Sequence, residues 1–240
     1  MSPSGRFESD GEAREVLIEI DGITLEGTLA IPSGARGLVL FAHGSGSSRH
    51  SPRNRYVAQV LQARQIGTLL FDLLTYHEES IDQDTGVLRF AIPFLANRLL
   101  GATQWVRKNP KTAEFSIGYF GASTGAAAAL VAAAELPAAI SAVVSRGGRP
   151  DLAEDSLGHV RAPTLLIVGG YDGPVIEMNR EAMAKLKLSE KKMVIIPGAT
   201  HLFEEPGTLE QVARVAAEWF AQHFVAQEKA YAQGLKSRAS

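Results

Sequence analysis

A serine between two glycines, at the point where an apolar run meets an alanine-rich segment, is the feature that most constrains this chain. Residues 115–120 are mostly apolar, residues 121–125 read Gly-Ala-Ser-Thr-Gly, and alanines follow at once. This pattern predicts a tight turn between a strand and a helix, with the oxygen of Ser123 exposed. Glycines suit such a turn because a side chain at either position would crowd the strand or the helix. The first amides of a helix that starts at Thr124 would point toward the same spot.

Length and charge limit the classes of protein to which the chain can belong. At 240 residues it is long enough for one large α/β domain or two small ones, and its formal net charge is −2. That charge gives no electrostatic case for a nucleic-acid partner or an anionic membrane. The chain contains no cysteine, which excludes disulfides, thiolate chemistry and cysteine-based metal sites and fits a reducing compartment.

Residues 1–10 are polar and lack the apolar run of a signal peptide. The longest purely apolar helical run, residues 126–134, is too short to cross a bilayer. We therefore expect a soluble, cytoplasmic protein.

Strand patterns alternate with helix patterns along the chain, with no internal repeat or shift in composition. Strands are expected at 16–20, 23–31, 37–42, 68–72, 115–120, 140–144, 164–168 and 192–196. Helices are expected at 51–65, 89–107, 124–135, 174–186 and 208–226. The alternation predicts one α/β domain over 13–226, built on a mostly parallel sheet of about eight strands with helices on both faces and an antiparallel N-terminal hairpin. Residues 1–12 are interpreted as a disordered lead and 227–240 as a polar tail.

Three residues with complementary chemistry follow three of the predicted strands. A serine is a weak nucleophile without a base, and the base needs an acid that fixes its tautomer and stabilises its cation. Ser123, Asp172 and His201 occur in the order serine, acid, histidine. Taken singly, Ser123 fits a tight turn, Asp172 fits a turn or a helix N-cap, and His201 fits a surface histidine. Together they predict a catalytic triad at the carboxyl edge of the sheet.

Attack on an acyl carbon also requires donors for the oxyanion. The amide of Thr124, directly after the nucleophile, is one expected donor. The second is expected from the loop after the 37–42 strand, at Ser45, with Gly46 as the alternative. The same glycines also suggest a dinucleotide-binding loop, but the third glycine of that motif is missing.

Other candidate residues are expected around the same edge. Gly46, Arg146 and Tyr171 are candidate substrate contacts, since a guanidinium favours carboxylate or phosphate groups. The alternative for the nearby arginines is that they pair with an acidic segment, 73–88, and hold it as a lid. That segment is interpreted as a long irregular connection, either functional or a mobile cover. The arginines concerned are Arg49, Arg53, Arg55, Arg146 and Arg149.

His43 and Asp72 also end strands, but both precede Ser123 in the chain. We expect His43 to hold the 43–48 loop by hydrogen bonds and Asp72 to anchor a loop. The remaining histidines show no metal-ligand spacing, so we expect neither a metal nor another cofactor.

The motifs His43-Gly44-x-Gly46 and Gly121-Ala122-Ser123-Thr124-Gly125, with the Asp172 and His201 loops, resemble those of the α/β-hydrolase superfamily. Within it the chain is similar to the dienelactone hydrolase-related group of small lidless hydrolases, over about residues 16–226. Members proper of that group carry a cysteine nucleophile, whereas this chain has Ser123.

These observations lead to one main hypothesis and two alternatives. The first is a serine hydrolase of a small carboxylic ester, lactone or thioester, active as a monomer or homodimer. The alternatives are the same triad used for acyl transfer, perhydrolysis or peptide cleavage, and a non-catalytic binding module on a hydrolase fold.

Overall fold

A computed structural model describes residues 13–238, with side chains described as far as residue 224. The predicted lead, 1–12, lies outside the described residues. Eight strands form one sheet. They are β1 (Arg14–Ile20), β2 (Ile23–Ala30), β3 (Gly37–Ala42), β4 (Gly67–Phe71), β5 (Ser116–Ala122), β6 (Ile140–Arg146), β7 (Thr164–Gly169) and β8 (Lys191–Ile196). The six helices of the described residues are α1 (Pro52–Gln62), α2 (Tyr76–Thr85), α3 (Ile92–Lys108), α4 (Thr124–Glu135), α5 (Gly173–Lys185) and α6 (Thr208–Arg238).

The strand order is β1-β2-β4-β3-β5-β6-β7-β8. Strands β3 to β8 are parallel to one another, and β2 is antiparallel to both β1 and β4. The fold is therefore the expected α/β-hydrolase architecture with an antiparallel N-terminal hairpin. Along the chain, β4 lies on one side of β3 and β5 on the other, so the order reverses between β3 and β5. In open α/β sheets, ligands bind at the carboxyl ends of the strands at such a reversal.

Two apolar layers cover the sheet, one on each face. Strands buried on both faces carry apolar residues at every position, so each such strand contributes side chains to both layers. One layer packs α1 and α6 against the sheet, with Phe41, Phe120 and Phe220 at its centre. The other packs α3, α4 and α5, and the small alanines of α4 allow it to approach the sheet closely. No helix of the described residues is long and apolar enough to span a bilayer.

Segment 73–88 differs from its prediction as an irregular connection. Most of it forms α2, followed by a 3₁₀ turn at Leu88–Phe90. Thr75 caps this helix by accepting from the amide of Glu78, whose carboxylate accepts from the amide of Thr75 at 2.7 Å. Gly86 ends it in a left-handed conformation with φ 66°. The capping box and the glycine that ends the helix can both be recognised in a sequence. The segment was interpreted from its acidic composition instead.

Two further segments also depart from the predicted elements. Residues Pro150–His159 form a 3₁₀ segment that was not predicted, with a kink at Glu154. Helix α6 continues to Arg238 rather than ending at residue 226. The residues past 226 include alanine, glutamine, glutamate and lysine, which favour a helix.

Candidate active site

Ser123 lies on the turn between β5 and α4 with φ 50° and ψ −120°. A non-glycine residue with positive φ is strained, and such strain often accompanies a functional position. The turn is held by the Ser123 amide, which donates to the carbonyl of Arg146 at 3.3 Å, and by the Ser123 carbonyl, which accepts from the amide of Arg149 at 3.1 Å. The predicted strand–serine–helix geometry is therefore present.

The glycines of the turn are required because backbone approaches both of them. A Cβ on Gly121 would lie 2.4 Å from Cα of Ala126, and one on Gly125 would lie 2.2 Å from the carbonyl oxygen of Ala42. Gly44 belongs to the same set, since its Cβ would lie 3.0 Å from Cβ of Ser123. The loop after β3 thus passes directly beside the nucleophile candidate, and Gly44 is what allows it.

His201 and Asp172 come together at the ends of β8 and β7. Nδ1 of His201 lies 2.7 Å from Oδ2 of Asp172. Asp172 occupies the N-cap position of α5, but its side chain makes no capping hydrogen bond there. The carboxylate is therefore directed to the histidine rather than to the helix. A donor hydrogen on Nδ1 leaves Nε2 of His201 as the basic nitrogen.

The His201 side chain is 40% exposed, whereas that of Asp172 is 13% exposed. In the described part of the chain, no hydrogen bond joins the hydroxyl of Ser123 to His201. His201 adjoins Gly147, on which a Cβ would lie 3.0 Å from the His201 carbonyl oxygen and 3.6 Å from its ring carbon Cε1. Catalytic hydrogen bonds are often long without substrate and shorten only in the reacting complex.

The loop after β3 contacts the turn through two hydrogen bonds. The amide of Ser45 donates to the hydroxyl of Thr124 at 3.1 Å, and the hydroxyls of Ser45 and Thr124 lie 3.0 Å apart. The Ser45 amide therefore already donates a hydrogen bond. Its expected role as an oxyanion donor had assumed that this amide was free. Thr124 is the first residue of α4, so its own amide has no acceptor within the helix.

His43 holds the loop in the expected way. Its Nε2 accepts from the amide of Leu73 at 3.0 Å, and its Nδ1 lies 3.0 Å from the carbonyl of Gly44. A ring nitrogen that accepts a hydrogen bond requires a neutral ring. Burial lowers the pKa of His43, which also favours the neutral form. Asp72 likewise anchors the loop, because its Oδ1 accepts from the amide of Arg49 at 2.7 Å.

The arginines are arranged differently from either expectation. Arg49 pairs with Asp72 and Glu26, Arg53 with Glu204, and Arg149 with Asp151. The acidic segment 73–88 is held by other arginines, with Arg89 on Asp82 and Arg98 on Glu78. The expected pairing between that segment and the nearby arginines was therefore wrong. Arg49 pairs with Asp72, the residue directly before the segment, and with carboxylates of the hairpin.

Arg146 is the exception among these arginines, since no carboxylate of the described residues pairs with it. It is 6% exposed, and its Nη2 donates to Oδ1 of Asn54 at 3.3 Å. Its guanidinium carbon lies 5.9 Å from the centre of the Phe203 ring. Burial lowers the pKa of Arg146 to about 10, and the nearby charge of Arg53 adds to the effect. The side chain is thus packed among protein groups rather than presented to an open cleft.

Two of the other candidates lie in the open around the site. Tyr171 is 75% exposed beside Asp172. Gly46, with φ 64°, lines both a cavity of about 10 Å³ and a cleft of about 640 Å³. Glu79 lines both as well, and sequence reasoning missed it because the turn of α2 that carries it was not predicted.

Comparison with known proteins agrees with this geometry. The model of the dienelactone hydrolase family matches residues 56–233. A crystal structure of a dienelactone hydrolase from Anabaena variabilis is 59% identical, with a TM-score of 0.88, and the match covers 90% of this chain and 100% of that one. Est1E from Butyrivibrio proteoclasticus shares the fold at 19% identity and a TM-score of 0.74, over 88% of this chain and 99% of its own.

Curated relatives from Mycobacterium tuberculosis are 56% identical over 209 residues, which is 87% of this chain. They carry the provisional name phosphoribosyl transferase. The match covers 46% of their length, so this chain spans about half of each.

Proposed function

The chain belongs to the dienelactone hydrolase family, and we propose that it is a serine hydrolase that cleaves a small carboxylic ester, lactone or thioester. The observation that carries the proposal is the 2.7 Å contact between His201 Nδ1 and Asp172 Oδ2, at the same edge of the sheet as Ser123 on its strained turn. A histidine whose Nδ1 hydrogen is held by a carboxylate presents Nε2 as a base, which is what a serine nucleophile needs.

In the proposed reaction, the oxygen of Ser123 attacks the acyl carbon while Nε2 of His201 takes the hydroxyl proton. Asp172 stabilises the imidazolium that results. The same proton then passes to the leaving group as the bond to the acyl carbon breaks, which leaves an acyl-enzyme on Ser123. Water attacks this ester with His201 again as base, the proton passes to the Ser123 oxygen as its bond to the acyl carbon breaks, and the acid product leaves.

The negative charge that develops on the acyl oxygen is held by the Thr124 amide and by an amide of the loop after β3. A single such donor is worth about 3 kcal/mol in other enzymes. At Ser45 the oxyanion would compete with the Thr124 hydroxyl, which already accepts from that amide at 3.1 Å. Gly46 is the alternative donor.

We attribute the transferase name of the mycobacterial relatives to a part of them that this chain does not match. More than half of each relative lies outside the match, whereas the matched part carries the hydrolase family pattern. The proposed chemistry of this chain therefore needs no phosphoribosyl group.

Labelling by a fluorophosphonate, followed by intact mass measurement, tests the assignment of Ser123. We expect one adduct on the wild-type chain and none on a folded Ser123→Ala variant, which also loses thioester hydrolysis. Ser47→Ala is the matched control, because Ser47 lies on the neighbouring loop and should leave labelling intact.

Full turnover by the Ser123→Ala variant would refute the proposal. Absence of any adduct on the folded wild-type chain would favour a binding module on a hydrolase fold. Product analysis with competing alcohol, thiol and peroxide acceptors separates hydrolysis from acyl transfer and perhydrolysis.

A further inference from the structure

We propose that the 640 Å³ cleft beside the loop after β3 binds a cationic or hydroxyl-bearing part of the substrate, with Glu79 as the group that selects it. The inference rests on the proposed function, since it concerns the substrate of the same site. It names a chemical class of substrate that the family resemblance does not supply.

The cleft adjoins the small cavity that contains the candidate oxyanion residues. Its lining includes Gly46, Leu74 and Glu79. The same three residues line the cavity of about 10 Å³ that also contacts Ser45 and Thr124. A volume near 10 Å³ holds about one water-sized group, so of these two spaces the larger cleft is the one with room for the rest of a substrate.

Within the cleft, the other carboxylates already share an arginine partner. Glu26 and Asp72 both line it, and both pair with Arg49, which lines it too. The carboxylate of Glu79 forms no hydrogen bond or ion pair with any residue in the described ranges. Glu79 is half-buried, so a ligand in the cleft meets a partly desolvated acceptor. Such a group attracts hydrogen-bond donors and cations and repels a second carboxylate.

Helix α2 does not need Glu79 for its own stability. Glu78 completes the capping box with Thr75 and also pairs with Arg98. Glu79 also lies in the first turn, where a carboxylate interacts favourably with the helix dipole, but Glu78 occupies the same turn and keeps that interaction. A Glu79→Gln variant should therefore keep the helix and change only the charge that faces the cleft.

Cations near the cleft are in turn satisfied by protein carboxylates. Arg89 contacts the small cavity, but its Nε lies 2.6 Å from Oδ2 of the buried Asp82. Arg49 is shared among Asp72, Glu26 and Glu15. The uncompensated charge that the cleft presents is therefore negative, and a carboxylate on the substrate finds no free partner among these arginines.

The test compares two series of thioesters and esters in which one end group is cationic, hydroxyl-bearing or anionic. One series places the charge on the leaving thiol: acetylthiocholine, S-acetyl-2-mercaptoethanol and S-acetyl-3-mercaptopropionate. The other places it on the acyl side: the 4-nitrophenyl esters of 4-(trimethylammonio)butyrate and of glutarate. The readout is kcat/KM for wild type, Glu79→Gln and Glu210→Gln, the last being an exposed carboxylate far along the chain on α6.

We expect wild type to prefer the cationic or hydroxyl-bearing member of at least one series over the anionic member. In Glu79→Gln this preference should fall by about tenfold, as expected for loss of one partly desolvated charge interaction, while Glu210→Gln keeps it. If the wild type is active and both glutamate variants show the same substrate preference, the role of Glu79 is overturned and the hydrolase proposal still stands. No turnover of any ester, together with no fluorophosphonate adduct, would overturn the hydrolase proposal and this inference with it.

Discussion

Replacing Arg146 by methionine should stabilise the protein, although arginine is the larger side chain. Arg146 is 6% exposed, and in the described ranges it has no carboxylate partner. Its Nε is buried without a hydrogen-bond partner. Burying a charge without a partner costs free energy, and a well-packed apolar side chain of similar length avoids that cost.

The pKa of Arg146 gives the size of the effect. Its lowering from 12.5 to about 10 means that the folded state disfavours the charged form by about 3 kcal/mol at 1.36 kcal/mol per unit. The sign follows directly: a cation whose pKa is lower when folded destabilises the fold at every pH below that folded pKa. The variant gives up the 3.3 Å hydrogen bond to Asn54, worth about 1 kcal/mol. The net gain is therefore about 1–2 kcal/mol.

Thermal unfolding at pH 7 measures this gain. For a chain of this length, 1–2 kcal/mol corresponds to a rise in Tm of about 2–8 °C. Arg146→Lys is the matched control, because it keeps a buried cation and should show no rise. A Tm for Arg146→Met equal to or below that of wild type would refute the reasoning, since it would mean that the buried charge is compensated.

Two further predictions concern the turn that carries Ser123 and helix α2. Gly125→Ala should destabilise the fold by about 1–3 kcal/mol in urea unfolding, because the new Cβ would lie 2.2 Å from the Ala42 carbonyl oxygen. Helix propensity alone predicts that alanine stabilises the helix. A stabilised variant would therefore contradict the steric argument. Asp82→Asn should cost about 2 kcal/mol at pH 7, because Asp82 accepts from the amide of Leu88 at 2.6 Å and from Arg89. Burial opposes ionisation of Asp82, but the Arg89 and Leu88 contacts outweigh it and lower its pKa. The difference between wild type and this variant should thus shrink in urea unfolding below about pH 4; a difference that persists unchanged there would refute it.

The central strands β3 to β7 were predictable because they are buried on both faces. Such strands read as continuous apolar runs, and Gly37–Ala42 has the predicted bounds in the structure. The start of α1 was equally accessible, since Ser51 accepts from the amide of Asn54 and Pro52 occupies the first turn. These features depend on neighbours in the sequence, which is why one sequence suffices for them.

The contacts of the site's charged groups were not predictable in the same way. Which carboxylate meets Arg53 depends on residue 204, far along the chain. The surroundings of Arg146 likewise depend on residues distant in the chain, since Asn54 and Phe203 lie against it. The Ser45 amide was expected to be free, but the hydroxyl of Thr124 accepts from it, a contact set by the approach of two loops. The roles of Ser123, Asp172 and His201 stay predictions, now with a geometry that supports them.

The fixed position of α2 has a kinetic consequence. The helix is tied at its first residue by the Thr75 capping box and near its end by Asp82, whose side chain is buried and pairs with Arg89. Many enzymes are limited by the opening of a mobile segment before product leaves. With α2 held at both ends, we expect no comparable opening step, so the turnover of the proposed hydrolase should be set by formation and breakdown of the acyl-enzyme. Leaving-group acidity, rather than solvent viscosity, would then govern the rate at which it works.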